Sequence, residues 1–199
     1  MAKMVTLITT IFKGSSVIQA IKLFSPDKVY FIVDDPIDDI RKNAIEMIKD
    51  LFPDIEYGNI SAKIYDIVEI SMKTIEAIKS ENNKIIVNVS EGRKTMSMGL
   101  LLGSYVMRKN VESAYYIIEE TNQPIKLPLI ELKVSPKKLL ILNQISNKKI
   151  NSISDIEKET GLSSSTLYVH LKELRDDGFL TKDNQVTAMG RIVLLNQEK

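Results

Sequence analysis

Apolar residues along the chain fall into short runs separated by longer amphipathic stretches. Residues 5–9, 28–33, 84–89 and 114–118 are β-branched and aromatic and are apolar on both faces. Runs of that length and character predict parallel strands covered by helices on either side. Between them apolar positions recur with a helical period. Ile37, Ile40, Ala44, Met47, Ile48 and Leu51 share one expected face, and Ile64, Ile67, Val68, Ile75 and Ile78 share another. Asp35 and Pro36 read as an N-cap followed by a first-turn proline. Residues 54–61 form a weaker third strand, and 124–132 a last strand that Pro128 pushes to an edge. Alternating strands and helices predict an α/β fold: a doubly wound, mostly parallel, Rossmann-like sheet with right-handed crossovers.

Near Val134-Ser135-Pro136 the alternation stops. Residues 136–145 read as a helix carrying Leu139, Leu140, Leu142 and Ile145. A second helix spans 152–160 and ends at Gly161. Ser164 and Ser165 open a third, with Leu167, Leu171 and Leu174 at i, i+4 and i+7. Residues 179–181 and 186–187 flank Lys182-Asp183-Asn184-Gln185 as a hairpin. Short helices joined by a glycine-containing turn, then a hairpin, predict a small winged helix-turn-helix domain. The expected division is therefore 1–133 and 134–199. The second part is small for an independent core, so it is expected to lean on the first domain or on a second copy.

The composition is globular: 199 residues, 44% hydrophobic and 27% charged. With 27 Lys and Arg against 26 Asp and Glu, net charge exerts no overall pull toward nucleic acid or an anionic membrane. Any phosphate binding must come from local geometry. The absence of cysteine excludes disulfides, zinc ribbons and thiol nucleophiles. His170 is the sole histidine, which excludes a histidine-based metal centre, and no catalytic or metal-ligating residue is assigned. The apolar run 4–12 is too short for a bilayer and makes a poor signal peptide, so a reduced, cytoplasmic protein is expected.

Two loops carry candidate chemistry. In a doubly wound sheet, ligands sit beyond the carboxyl ends of the strands, where strand order reverses. The first strand is followed by a loop bearing Thr9, Thr10, Phe12, Lys13, Gly14, Ser15 and Ser16, which opens a helix. The fourth is followed by Asn88, Val89, Ser90, Glu91, Gly92, Arg93, Lys94 and Thr95, which opens another. Each combines glycine, hydroxyls, a cation and a helix N-terminus, the parts of an anion site. Neither is a dinucleotide or P-loop fingerprint, because Lys13-Gly14-Ser15 runs in the wrong order. Asp34 and Asp35 stand where a ribose-binding acid or a helix cap would lie.

The stretch from Ile156 to Leu174 resembles the turn and recognition helix of MarR- and ArsR-type regulators. Gly161 permits the tight turn, while Leu162 and Leu167 pack inside. Ser164, Ser165, Thr166, Tyr168 and Lys172 are the expected contacts with double-stranded DNA, and Lys182 on the wing reaches a phosphate. The alternative is a winged helix used only for dimerisation or protein binding.

Taken together, the doubly wound domain, the Asn88-Val89-Ser90-Glu91-Gly92-Arg93-Lys94 loop, the hydroxyl-bearing first loop and the C-terminal winged helix resemble the CRISPR-associated Rossmann-fold (CARF) transcriptional regulators of archaea. That resemblance implies a homodimer acting on CRISPR-locus promoters in antiviral defence. It implies a two-fold-symmetric cyclic oligoadenylate, most often tetra-adenylate, as regulatory ligand and no other cofactor. On it, Arg93 and Lys94 offset phosphate charge, Thr10, Ser15, Asn88 and Ser90 bond ribose or phosphate, and Phe12 either stacks on adenine or joins the core. Many relatives carry a second small residue where Glu91 stands. The alternatives are a regulator that binds DNA independently of ligand and, as an enzyme, a ring nuclease that cleaves cyclic oligoadenylate using Lys94 and Ser15. The ring nuclease ranks second, because no paired general acid and base is visible in either loop.

Overall fold

The computed structural model describes residues 4–148 and 152–195. They divide into two compact units, Met1–Glu131 and Leu132–Lys199.

The first unit runs β1 (Val5–Thr10), α1 (Ser15–Phe24), β2 (Lys28–Val33), α2 (Asp39–Leu51), β3 (Glu56–Ser61), α3 (Ile67–Ser80), β4 (Lys84–Asn88), α4 (Lys94–Val106), β5 (Val111–Ile117) and β6 (Pro124–Leu127). The sheet order is β3-β2-β1-β4-β5-β6, parallel except for the antiparallel β6. The chain winds outward from β1 to β3, then crosses back to β4 on the other side of β1. Right-handed crossovers therefore place α1 and α2 on one face and α3 and α4 on the other. Leu7, Val29, Phe31 and Ile86 pack with Val17, Ala20, Ile45 and Ile48 on the α1–α2 side. The register sets Thr9 beside both Phe31 and Asn88, so the carboxyl ends of β1 and β4 are neighbours where strand order reverses.

Several local expectations shift. Asp35-Pro36 lies in a bend; Asp38 caps α2, its carboxylate accepting from the Arg41 amide at 2.9 Å. Arg41, Ala44, Ile45 and Ile48 face inward, and Ile40, Met47 and Leu51 are exposed. The last strand ends at Leu127, directly before Pro128, which cannot donate to a ladder. Gly99 and Gly103 lie against α3. A methyl group on Gly99 would sit 2.6 Å from Ile70 Cβ, and one on Gly103 would sit 2.8 Å from Thr74 Cβ. The Ser71 hydroxyl shares its proton between the carbonyls of Ile67 and Gly99, at 2.7 and 3.0 Å.

The second unit comprises α5 (Pro136–Lys148), α6 (Ile153–Thr160), α7 (Ser164–Asp176) and α8 (Ala188–Leu194). Leu139, Ile141, Leu142, Ile156, Leu171 and Ile192 are among its buried side chains. Gly161 takes φ 67° at the end of α6, as the turn before a recognition helix requires. The hairpin contracts to one antiparallel bridge, Leu180 with Val186, closed by the Thr181 amide donating to the Gln185 carbonyl at 2.8 Å. Sequence periodicity missed α8. Its cue was Thr187, whose hydroxyl caps the helix by accepting from the Gly190 amide at 3.1 Å.

Candidate functional site

The loop after β1 turns at Gly14, where φ is 90°, and its amides converge. The N–H groups of Phe12, Lys13 and Gly14 donate to Glu91 Oε2 at 2.9, 2.9 and 2.7 Å. The amide of Ser16 donates to Oε1 at 2.7 Å, and the Ser15 hydroxyl adds a longer bond of 3.3 Å. The amides expected to hold a phosphate are thus filled by a carboxylate from the loop after β4. Both orphan N–H groups and the α1 dipole favour an anion there, and Glu91 supplies one from within the chain.

Burial pushes the Glu91 pKa up, but the N–H bonds from Gly14, Phe12 and Ser16 pull it down further. The carboxyl is held below its ordinary value of 4.5. A carboxyl depressed in the folded state stabilises it fully above the unfolded pKa. That contribution fades as pH falls through the folded value. Glu91→Gln is therefore expected to lower stability by about 2 kcal/mol at neutral pH, the scale of one or two charge-assisted hydrogen bonds. In urea unfolding, the gap to the native chain should shrink as pH drops below 4.5. A gap independent of pH would mean that the negative charge is not what the amides hold.

Other anticipated ligand groups are engaged internally. Thr9, Thr10 and Asn88 are fully buried. Asn88 Nδ2 donates to Thr9 Oγ1 at 3.0 Å, the Ser90 hydroxyl donates to Asn88 Oδ1, and the Ile117 amide donates to Ser90 Oγ at 2.7 Å. The Thr95 hydroxyl donates to the Ile64 carbonyl. These side chains brace the two loops. Thr10 Oγ1 and Ser16 Oγ are buried without a hydrogen-bond partner among the described residues. Phe12, Lys13, Ser15, Gly92, Arg93 and Lys94 stand exposed around the cleft. Phe12, left between adenine and core by its sequence context, lies at the surface.

Two functional candidates escaped sequence reasoning. Arg41 is 2% exposed, its Nε donating to the Ile11 carbonyl at 3.1 Å and its Nη1 paired with Asp38. Its guanidinium lies 5.4 Å from the Phe12 ring centroid. Tyr65, in the loop before α3, carries the Arg93 guanidinium 5.2 Å from its own ring. Such distances suit cation–π contact. With Gly92, Lys94 and Thr95 these residues line a pocket of about 460 Å³. On the other side of Phe12 and Gly92, Lys13, Ser15, Ser90, Glu91 and Glu119 line a smaller one of about 180 Å³. A lone arginine on an otherwise apolar helix face was the available signal for Arg41. Tyr65 offered none.

The second unit presents a separate candidate surface. On α7, Leu167, Leu171 and Leu174 are buried, leaving Ser165, Tyr168, Val169 and Lys172 as one exposed stripe. Ser163 caps the helix, and its hydroxyl lies 3.1 Å from Ser165 Oγ and 3.0 Å from Thr166 Oγ1. The Ser164 hydroxyl is tied back to Glu157 on α6. Lys182 is exposed at the turn, which Arg175 steadies by donating to Asn184 Oδ1 at 2.8 Å. His170 sits 3.1 Å from Glu173 Oε2, off the exposed stripe.

Among the described residues no helix is long and apolar enough to cross a membrane, and no cluster of three or more acidic or histidine side chains is placed to hold a metal ion.

Residues 5–122 match the family described as HFX_2341_N-like, N-terminal. Residues 135–182 match that described as bacterial regulatory protein, arsR family. No curated protein sequence matches the chain. Among solved structures, protein VC1899 from Vibrio cholerae is similar, with TM-score 0.51 and 10% identity, covering 95% of this chain and 64% of that one. Can2 from Sulfobacillus thermosulfidooxidans, in complex with cyclic tetra-adenylate, gives TM-score 0.48 at 10% identity, with 96% of this chain and 57% of that one covered. A type III CRISPR defence DNA nuclease activated by cyclic oligoadenylate gives 0.46 at 10% identity, with 89% and 35% covered. The chain thus spans under two thirds of each of these proteins. At such identity the likeness to VC1899 is one of fold.

Proposed function

The chain belongs to the HFX_2341_N-like N-terminal family, and from that premise we propose that it is a ligand-responsive transcription regulator of CRISPR loci, binding DNA as a homodimer in the cytoplasm. The reading rests on one combination. A cationic, aromatic cleft at the switch point of a Rossmann-like sheet is joined in one chain to a helix-turn-helix of arsR type whose recognition face is open.

The ligand is a cyclic oligoadenylate, tetra-adenylate first, as the CARF resemblance implies. Phe12 and Tyr65 offer exposed rings to a base, and Arg93 and Lys94 offer charge to a phosphodiester. Among the described residues neither cation pairs with a carboxylate in the folded chain. A two-fold ligand on a dimer axis would meet both copies of the cleft alike. Coupling to DNA then requires that the ligand bind two arrangements of the dimer unequally.

The test is the affinity of the full chain for its own promoter DNA with and without cyclic tetra-adenylate. The expected change is at least about five-fold, the lower end of ordinary allosteric coupling. Equal affinities would remove the sensor role. Recovery of the ligand intact would separate a sensor from a ring nuclease.

A further inference from the structure

We propose that Glu91 decides where in the cleft a phosphate is held: by filling the amide nest at the start of α1, it confines the ligand's phosphates to the pocket of Arg41, Arg93 and Lys94. The inference rests on the reading of this cleft as a nucleotide-binding site and assigns its two halves.

The charges divide on either side of Phe12 and Gly92. The smaller pocket contains two carboxylates, Glu91 and Glu119, against Lys13. Its four amides already carry an anion at hydrogen-bond distances of 2.7 to 2.9 Å. An external phosphate would have to displace a tethered carboxylate, whose effective concentration at the nest is on the order of millimolar or above. It would then sit beside that displaced charge. The larger pocket holds three cations, Arg41, Arg93 and Lys94, two aromatic rings and no carboxylate in its lining. Arg41 forms the fixed floor of this pocket: it is 2% exposed, anchored to the Ile11 carbonyl and paired with Asp38, so Arg93 and Lys94 carry the charge that is free to meet a ligand. A phosphate entering here meets two cations, Arg93 and Lys94, that no carboxylate neutralises among the described residues. The nest side is left for neutral groups, which the exposed Ser15 can meet with its hydroxyl.

The experiment follows backbone amide signals of the full chain by NMR while inorganic phosphate is added. In the native protein, phosphate should shift signals around Arg93 and Lys94 and leave Lys13, Gly14 and Ser16, which do not line that pocket, unmoved. In Glu91→Ala the four nest amides, that of Phe12 included, should shift and saturate, with phosphate held there about ten-fold or more tighter than in the native chain. Glu91→Gln keeps a carbonyl acceptor but adds two donors facing a cluster of donors, and should open the nest partly. The same spectra report whether each variant is folded. Native-chain shifts at residues 13–16 matching those of Glu91→Ala would overturn the proposal, as would an open variant whose four amides ignore phosphate. The native titration decides by itself should Glu91→Ala not fold. Adding cyclic tetra-adenylate to the native protein separates the two readings: if it leaves the cleft signals still, the nucleotide assignment fails, while the phosphate result still judges Glu91.

Discussion

Gly99→Val is expected to destabilise the N-terminal unit by about 4 kcal/mol or more, and Gly99→Ala by about 2 kcal/mol. The first added carbon would lie 2.6 Å from both Cβ and Cγ2 of Ile70 and 3.2 Å from the Ile67 carbonyl oxygen. Ile70 is fully buried between helix and sheet, so it has no room to withdraw. Valine adds two methyl groups to the same gap. Alanine recovers about 1 kcal/mol of helix propensity, which partly offsets the clash but does not reverse it. Gly161→Ala is the useful contrast. No atom would lie within 4 Å of its new methyl group, and the cost is only the left-handed φ of 67°, about 1 kcal/mol. Urea unfolding of the three variants measures the difference. A Gly99→Ala chain as stable as the native one would mean that α3 and α4 do not cross this closely.

Removing the exposed stripe of the recognition helix should abolish most DNA binding without disturbing the fold. Tyr168 is 59% exposed and Lys172 lies one turn beyond it on the same face. Their neighbours Leu167, Leu171 and Leu174 carry the packing, so truncating the stripe leaves the core intact. Lys172→Ala is expected to weaken binding to all DNA sequences alike and to reduce the salt dependence by about one unit of log–log slope per protomer. Tyr168→Ala is expected to cost about ten-fold or more, since a large ring at the centre of a helix face excludes water from the contact. Ser164→Ala should do much less, because that hydroxyl is already committed to Glu157. Fluorescence anisotropy across a salt series reads all three. An unchanged affinity in the Tyr168→Ala, Lys172→Ala double variant would mean that this winged helix serves another partner.

Most elements of both units were legible from periodicity; α8 was not. Two-sided apolar runs became the central strands β1, β2, β4 and β5. The Gly161 turn with Leu167, Leu171 and Leu174 became the helix-turn-helix. Boundaries were less legible where two local signals competed. Asp35 and Asp38 are both acceptable caps, and it is the Asp38 carboxylate that accepts the first-turn amide, from Arg41. The shorter last strand follows from a proline already visible in the sequence.

The candidate site was legible only in part. The two loops were found because glycine, hydroxyls and helix starts are local features. Which of their groups remain available was not, because each is settled by a partner far along the chain. Glu91 reaches amides 75 to 79 residues away, and Asn88 reaches Thr9 at a separation of 79.

By itself, then, the sequence determined the alternation of elements, the sheet class and its crossover hand, and the exposed recognition helix. These depend on repeats of two and 3.6 residues and on the fixed chirality of the backbone. Only the tertiary structure decided that Arg41 is buried beside Phe12, that the Gly99 and Gly103 side of α4 meets α3, and that a carboxylate rather than an open nest stands at the start of α1. Those outcomes turn on distances between segments that no local pattern encodes, and they are fixed when the apolar faces close and bring β1 and β4 side by side.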